Sequence, residues 1–191
     1  MEKKERYVQE YIVNRKTMAL LPIVLNDKEI VTRVIEEEDA FFVYCKPIEI
    51  IEQSCRLHGS NFFGRKEGTK ELTGITHKAP IAISPVDYLY FFPTLSYSRK
   101  ECAWLSHFHV VNNKELLPGT LFITFINGQA IKLEMSRGSF ENQVCRTAQL
   151  RAAFEDRKGK RVQLAFMTMN PSEVLELTPL YEKTYAVNVE G

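Results

Sequence analysis

No run of about eighteen apolar residues occurs in the sequence, so no stretch reads as a membrane-spanning helix. The first six residues, Met1–Arg6, are too heavily charged to lead into the apolar core of a signal peptide. A cytoplasmic protein is the expectation. Cysteine is sparse: Cys45, Cys55, Cys102 and Cys145 lie far apart with no C-x-x-C pair, which argues against a disulfide framework or a zinc ribbon. They read as reduced, mostly buried thiols. The G-x-x-x-x-G-K-[ST] phosphate loop, the G-x-S-x-G elbow and the H-E-x-x-H helix are all missing. Nothing therefore asks for an enzyme, and the acidic run Glu36–Asp39 reads as a solvated turn. No internal repeat or low-complexity tract appears.

What is present is an ordinary globular composition, 45% apolar and 26% charged over 191 residues, enough to bury a sizeable core. The net charge of +1 hides a segregation. Residues 1–54 carry eight Lys/Arg against eleven Asp/Glu, residues 55–114 eight against four, and residues 115–191 nine of each. An anionic ligand responds to the local potential of such a basic middle, not to the sum over the molecule.

Along the chain, Tyr7–Val13 and Thr17–Val24 flank Asn14-Arg15-Lys16 and read as a hairpin, with Ile30–Ile35 a third strand and Phe41–Cys45 a fourth. Pro47 suits a first helical position, and Ile48, Ile51 and Cys55 share one face, predicting a short helix over about 47–58 that ends at Gly59. Residues 59–70, with three glycines, read as a loop that turns or approaches a ligand closely. Leu72–Ile75, Ile81–Ile83, Tyr88–Phe92 and Trp104–Val111 continue as strand candidates. Asn127-Gly128 predicts a type I′ hairpin between Thr120–Asn127 and Gln129–Met135. A long C-terminal helix is expected over about 139–157, with Ser139 as its N-cap and Phe140, Val144, Thr147, Leu150 and Phe154 on one face. The expected fold is α+β: a strand-rich single domain with one short and one long helix. Residues 1–161 form the domain and residues 162–191, acidic and less periodic, form a partly flexible or regulatory tail.

Two chemistries compete in the middle of the chain. His107-Phe108-His109 on a strand would put both imidazoles on one face with Cys102 nearby, a pattern able to ligate a metal or small ligand, or simply to pack at a sheet surface. Against this stand Arg56, Arg65, Lys66, Lys70, Lys78, Arg99 and Lys100, interleaved with Ser, Thr and Asn side chains that bond phosphate oxygens. Arg146, on the long helix, offers a further basic contact.

Several words in order resemble the ComK family of competence transcription factors. They are Ser54-Cys55-Arg56, Gly59-Ser60, Gly64-Arg65-Lys66, Gly68-Thr69, His77-Lys78, Phe92-Pro93-Thr94-Leu95-Ser96 and Trp104, then Ser106-His107-Phe108-His109-Val110 and Ser139-Phe140-Glu141-Asn142-Gln143-Val144. The resemblance implies a cytoplasmic, nucleoid-associated activator of DNA-uptake genes that works without a cofactor. It implies paired dimers on two A/T-rich boxes, bound chiefly through the minor groove, and an aid to RNA polymerase. Narrow A-tracts draw arginine into their enhanced negative potential, and the glycine-flanked Arg65 is the expected insertion, with the remaining basic residues on phosphates. The family is also delivered to a Clp protease by an adaptor that reads a C-terminal motif. Here Phe166-Met167 keeps its start, but the proline is displaced to Pro171 and the aromatic is missing. Such a segment is a docking peptide or packs onto the domain.

Overall fold

A computed structural model describes residues 6–25 and 29–168, with side chains through Arg157. In chain order the elements are β1 (Tyr7–Val8), β2 (Thr17–Leu25), β3 (Glu29–Glu36), β4 (Ala40–Val43), α1 (Pro47–Leu57) and α2 (Phe62–Thr73). They continue with β5 (Ile81–Ser84), β6 (Leu89–Pro93), β7 (Trp104–Ser106), β8 (Val110–Leu117), β9 (Thr120–Phe125), β10 (Ala130–Glu134) and α3 (Arg137–Thr168). The chain divides into two units, Met1–Ala153 and Phe154–Gly191.

Seven strands form one sheet in the order β1-β4-β3-β2-β7-β6-β5, and three form a second in the order β10-β9-β8. Because side chains alternate along a strand, the central strands of the large sheet supply two cores at once. Leu20, Val34, Phe91 and Trp104 meet Ile50, Ile51 and Cys55 of α1 and Phe62 of α2. Their sequence neighbours Ala19, Ile35, Phe92 and Leu105 meet Leu121, Ile123 and Phe125 of the small sheet and Phe140 of α3. Strands covered on both faces read as unbroken apolar runs, which is why β6 is Leu-Tyr-Phe-Phe-Pro and wholly buried. Trp104, fully buried between these layers, is the largest such residue, and Trp104→Ala would cost about 3–5 kcal/mol.

The α+β, strand-rich class holds, with three helices among the described residues where two were expected. The additional helix is α2, in place of the expected glycine loop. Its two internal glycines each cost about 0.5–1 kcal/mol relative to alanine. Both ends compensate. Asn61 Oδ1 accepts from Gly64 N–H at 2.7 Å, and Gly74 at φ +74° closes the helix with its N–H on Lys70 O at 2.7 Å. Phe62 anchors it, 5.1 Å from the Tyr97 ring and 6.1 Å from Trp104, and the buried Thr69 hydroxyl bonds Pro80 O at 2.8 Å. Residues 72–75 are accordingly the end of α2 and its cap, not a strand.

Four smaller expectations also change. The N-terminal hairpin does not form: β1 pairs in parallel with β4, while β2 pairs with β3 and β7. The segment between leaves the sheet because Val13 N–H donates to Ser54 Oγ of α1 at 3.1 Å and Tyr11 Oη is held by Thr17 Oγ1 and, at 2.7 Å, by Glu36 Oε1. The strand expected over Trp104–Val111 breaks into β7 and β8 around a turn at residues 107–109. At Asn127-Gly128 only Gly128 has positive φ (+80°). Asn127 stays in the negative region, with Gly128 N–H on Phe125 O at 2.9 Å, a type I turn with a left-handed glycine in place of type I′. The long helix starts at Arg137, capped by Ser136, whose Oγ accepts from Ser139 N–H at 3.3 Å.

α1 occupies 47–57 as expected. Pro47 sits in the first turn, Glu49 accepts from Lys46 N–H at 2.6 Å, and Gly59 follows at φ +68°.

Candidate nucleic-acid interface

α2 places Lys66 and Lys70 one turn apart on the same face. Beyond its Gly74 cap the chain passes through Ile75, Thr76 and His77, and a cleft of about 270 Å³ opens between helix and loop, lined by Lys66, Glu67, Lys70, Ile75, Thr76 and His77. Lys78 follows at once, exposed and at φ +48°, in the left-handed region that side chains with a Cβ seldom occupy. Arg146 of α3 donates Nη1–H to His77 O at 3.1 Å. Four of the expected basic residues thus gather around one short loop.

A second cleft, about 320 Å³, adjoins the loop after β6, and Lys46, Glu52, Tyr97, Ser98, Arg99 and Lys100 are among the residues that line it. Tyr97 joins the two sites: the Lys66 ammonium stands 5.0 Å from its ring centroid, a cation–π contact, while Phe62 supports the ring from another side. Lys46 and Tyr97 escaped the sequence reading. Lys46 lies in the acidic N-terminal third, and only the fold brings it beside Arg99 and Lys100. Ion pairs at this surface are exposed and weak, Lys70 with Glu67 at 3.5 Å and Arg99 with Glu101 at 3.7 Å, so the cations remain available to a stronger anion.

Two expected contacts fall elsewhere. Arg56, in the last turn of α1, is exposed and lines neither cleft. Arg65 does not protrude from a glycine loop. It lies half-buried on α2, with Nη2 donating to His58 O at the end of α1 at 3.4 Å and its Nε buried without a hydrogen-bond partner. Its charge opposes the burial that pushes the Cys55 thiol up to about 11.

The histidine pair is not a two-imidazole face. In the turn, His109 is buried, its Nδ1 2.8 Å from Ser106 Oγ and its Nε2 3.1 Å from Glu37 Oε1. Burial holds His109 below the usual imidazole range against the pull of Glu37, and burial followed by Arg151 does the same to His107. Cys102 Sγ donates to Leu95 O at 3.4 Å, and burial pushes its thiol up to about 11. Among the described residues no group of three or more His, Cys, Asp or Glu side chains is placed to hold a metal ion. The side chains of Phe166 and Met167 lie outside the described residues, as does Pro171. No described helix is long and apolar enough to cross a membrane.

No solved structure matches the chain. Among curated proteins, the competence transcription factor of Bacillus subtilis (strain 168) is 44% identical over 161 residues, spanning 84% of this chain and 83% of that protein. The family model described as ComK protein matches residues 8–159, which takes in β2 to β10, α1, α2 and most of α3, so the chain belongs to the ComK family.

Proposed function

We propose that this protein is a DNA-binding activator of competence gene transcription whose contact surface is the α2 cleft together with the Tyr97–Lys100 loop. Lys66, Lys70 and Lys78 hold phosphates at the first site, and Lys46, Arg99 and Lys100 at the second. The observation that carries this reading is the meeting of the two basic clefts at Tyr97, supplied by three separate segments of chain. Arg65 joins α1 to α2 and is withdrawn from the groove-insertion role.

On the family likeness we assign it two A/T-rich boxes as target, read chiefly through the minor groove, with the protein acting in the cytoplasm on the nucleoid, as a non-enzyme, beside RNA polymerase. We further assign residues 1–161 to the DNA-binding domain and residues 162–191 to a regulatory tail, with Phe166-Met167 offered to a Clp adaptor. For self-association we assign the outer strand β8. It is an eight-residue edge on which Val111, Leu116 and Leu117 are each more than half exposed. Two copies pairing antiparallel along this edge bury these apolar side chains together.

Fluorescence anisotropy against two duplexes of equal length tests the reading, one with two A/T-rich boxes a whole number of turns apart and one G/C-rich, over a salt series. Tight binding to the first with a steep salt slope and a large penalty on the second is expected. Equal, weak binding to both would refute it.

A further inference from the structure

The loop from Gly74 to Pro80 is gripped by one stripe of α3. Gln143, Arg146 and Gln149 recur every three residues, and each donates to a backbone carbonyl of α2 or the segment after it. Gln143, only 2% exposed, donates from Nε2 to Lys78 O at 3.0 Å and to Pro93 O at 2.7 Å. Arg146 takes His77 O at 3.1 Å and Gln149 takes Thr73 O at 3.4 Å. Along its length α3 already has apolar anchors in Phe140 and Leu150, both fully buried, so docking the helix does not by itself require these polar contacts. What they do fix is the path of the loop. Lys78 holds φ +48° with a full side chain, a conformation that persists only where the surroundings over-determine it. The Gln143 amide bonds the carbonyl of that very residue, next to the buried Ala79 and the Pro80 carbonyl that Thr69 holds.

We infer that Gln143 and Arg146 are positioning residues for DNA contact. Gln143 locks Lys78 in its left-handed conformation and so presents the exposed ammonium beside the Lys66 and Lys70 cleft. Arg146 holds the same loop through His77 and does not itself meet a phosphate. This rests on the DNA-binding reading above and adds to it a division of labour: α2 and the loop touch the duplex, and α3 aims them.

A double-mutant cycle on the full-length protein tests the inference, measured by anisotropy on the A/T-rich duplex across a salt series. Lys78→Ala weakens binding and reduces the salt slope by about 0.9, the contribution of one phosphate. In a Gln143→Met background, which removes both donors without changing charge, Lys78→Ala has little further effect on affinity or slope. Lys100→Ala, at the other cleft, costs the same factor in either background. General weakening of the fold would leave the Lys78 and Lys100 effects equally intact, so the selective loss is the signature of positioning. Arg146→Gln repeats the cycle at a half-buried surface position should Gln143→Met fail to fold. A positioning Arg146 is non-additive with Lys78, whereas a phosphate-binding Arg146 lowers the slope by a further 0.9 or so even when Lys78 is absent. An undiminished Lys78→Ala effect in both backgrounds overturns the inference while leaving the DNA reading standing. A wild-type protein that binds neither duplex overturns both.

Discussion

Removing a negative charge at the right place should tighten DNA binding by a predictable and small factor. Glu67 sits on α2 among the cleft residues, its carboxylate 3.5 Å from Lys70 Nζ, with both side chains about half exposed. A solvent-exposed pair three residues apart on a helix is worth about 0.2–0.5 kcal/mol, and Lys70 must surrender that when its ammonium turns to a phosphate. Glu67→Gln returns this amount, a gain of about 1.5- to 2-fold in affinity, and any repulsion between the carboxylate and the duplex adds in the same direction. The salt slope stays unchanged because no cation is lost. Lys70→Gln does the reverse: it weakens binding and lowers the slope by about 0.9, so between about 50 and about 200 mM salt the wild type loses roughly 3.5-fold more affinity than the variant. Anisotropy titrations at four or so salt concentrations separate the two signatures. Weaker binding by Glu67→Gln, or a wild-type slope in Lys70→Gln, would refute the placement of the duplex on this face.

Further tests reach other parts of the molecule. Gly68 lies inside α2, and a Cβ there meets nothing within 4 Å. Gly68→Ala should therefore raise stability by up to about 1 kcal/mol, seen as a Tm increase of about 2–4 °C, and a fall in Tm would show that the helix depends on glycine at this position. His107 and His109 both titrate below 6.5 in the folded protein, so as pH falls through about 6.5 the unfolded chain takes up protons first. Stability is then full above that range and declines as the pH falls below it; a Tm profile as steep in His107→Asn/His109→Asn as in wild type would sink this assignment. For β8, Val111→Lys and Leu117→Lys, each setting a charge on the apolar edge, should dissociate the dimer in sedimentation velocity. Variants that sediment like wild type would remove β8 from the interface.

The parts of the fold that were legible in the sequence are those where local chemistry and tertiary demand agree. α1 announces itself through Pro47 and the apolar residues it buries, and β9–β10 through Asn127-Gly128. α2 does the opposite. Only Phe62 and Thr69 are buried along its twelve residues, so it carries almost no apolar stripe, and its two glycines point toward a loop. Its helical state is decided by Asn61, Gly74 and the contacts of Phe62 with Tyr97 and Trp104, none of which has a local period. The N-terminal hairpin fails for a related reason: an ordinary-looking turn at residues 14–16 is overruled by Val13 bonding to Ser54, forty-one positions away.

The site divides along the same line. A basic block was visible in the charge counts, because Lys and Arg are identified by type alone. Which of them face a duplex was not, because that depends on which segments the fold brings side by side. Arg65 shows how the two separate. Its glycine neighbours made it the expected protruding cation, yet those same glycines lie in a helix that turns its guanidinium back onto the carbonyl at the end of α1, where the negative end of the helix dipole favours a cation. Lys46 shows the converse, a cation in an acidic stretch that the N-terminus of α1 delivers to the cleft beside Arg99 and Lys100. Charge segregation along the chain and charge segregation on the surface are therefore different quantities here. Only the second is met by a phosphate backbone, so Lys46→Ala is the substitution for which the two disagree: the linear pattern assigns it no loss of DNA affinity, and the folded surface assigns it the loss of one phosphate contact.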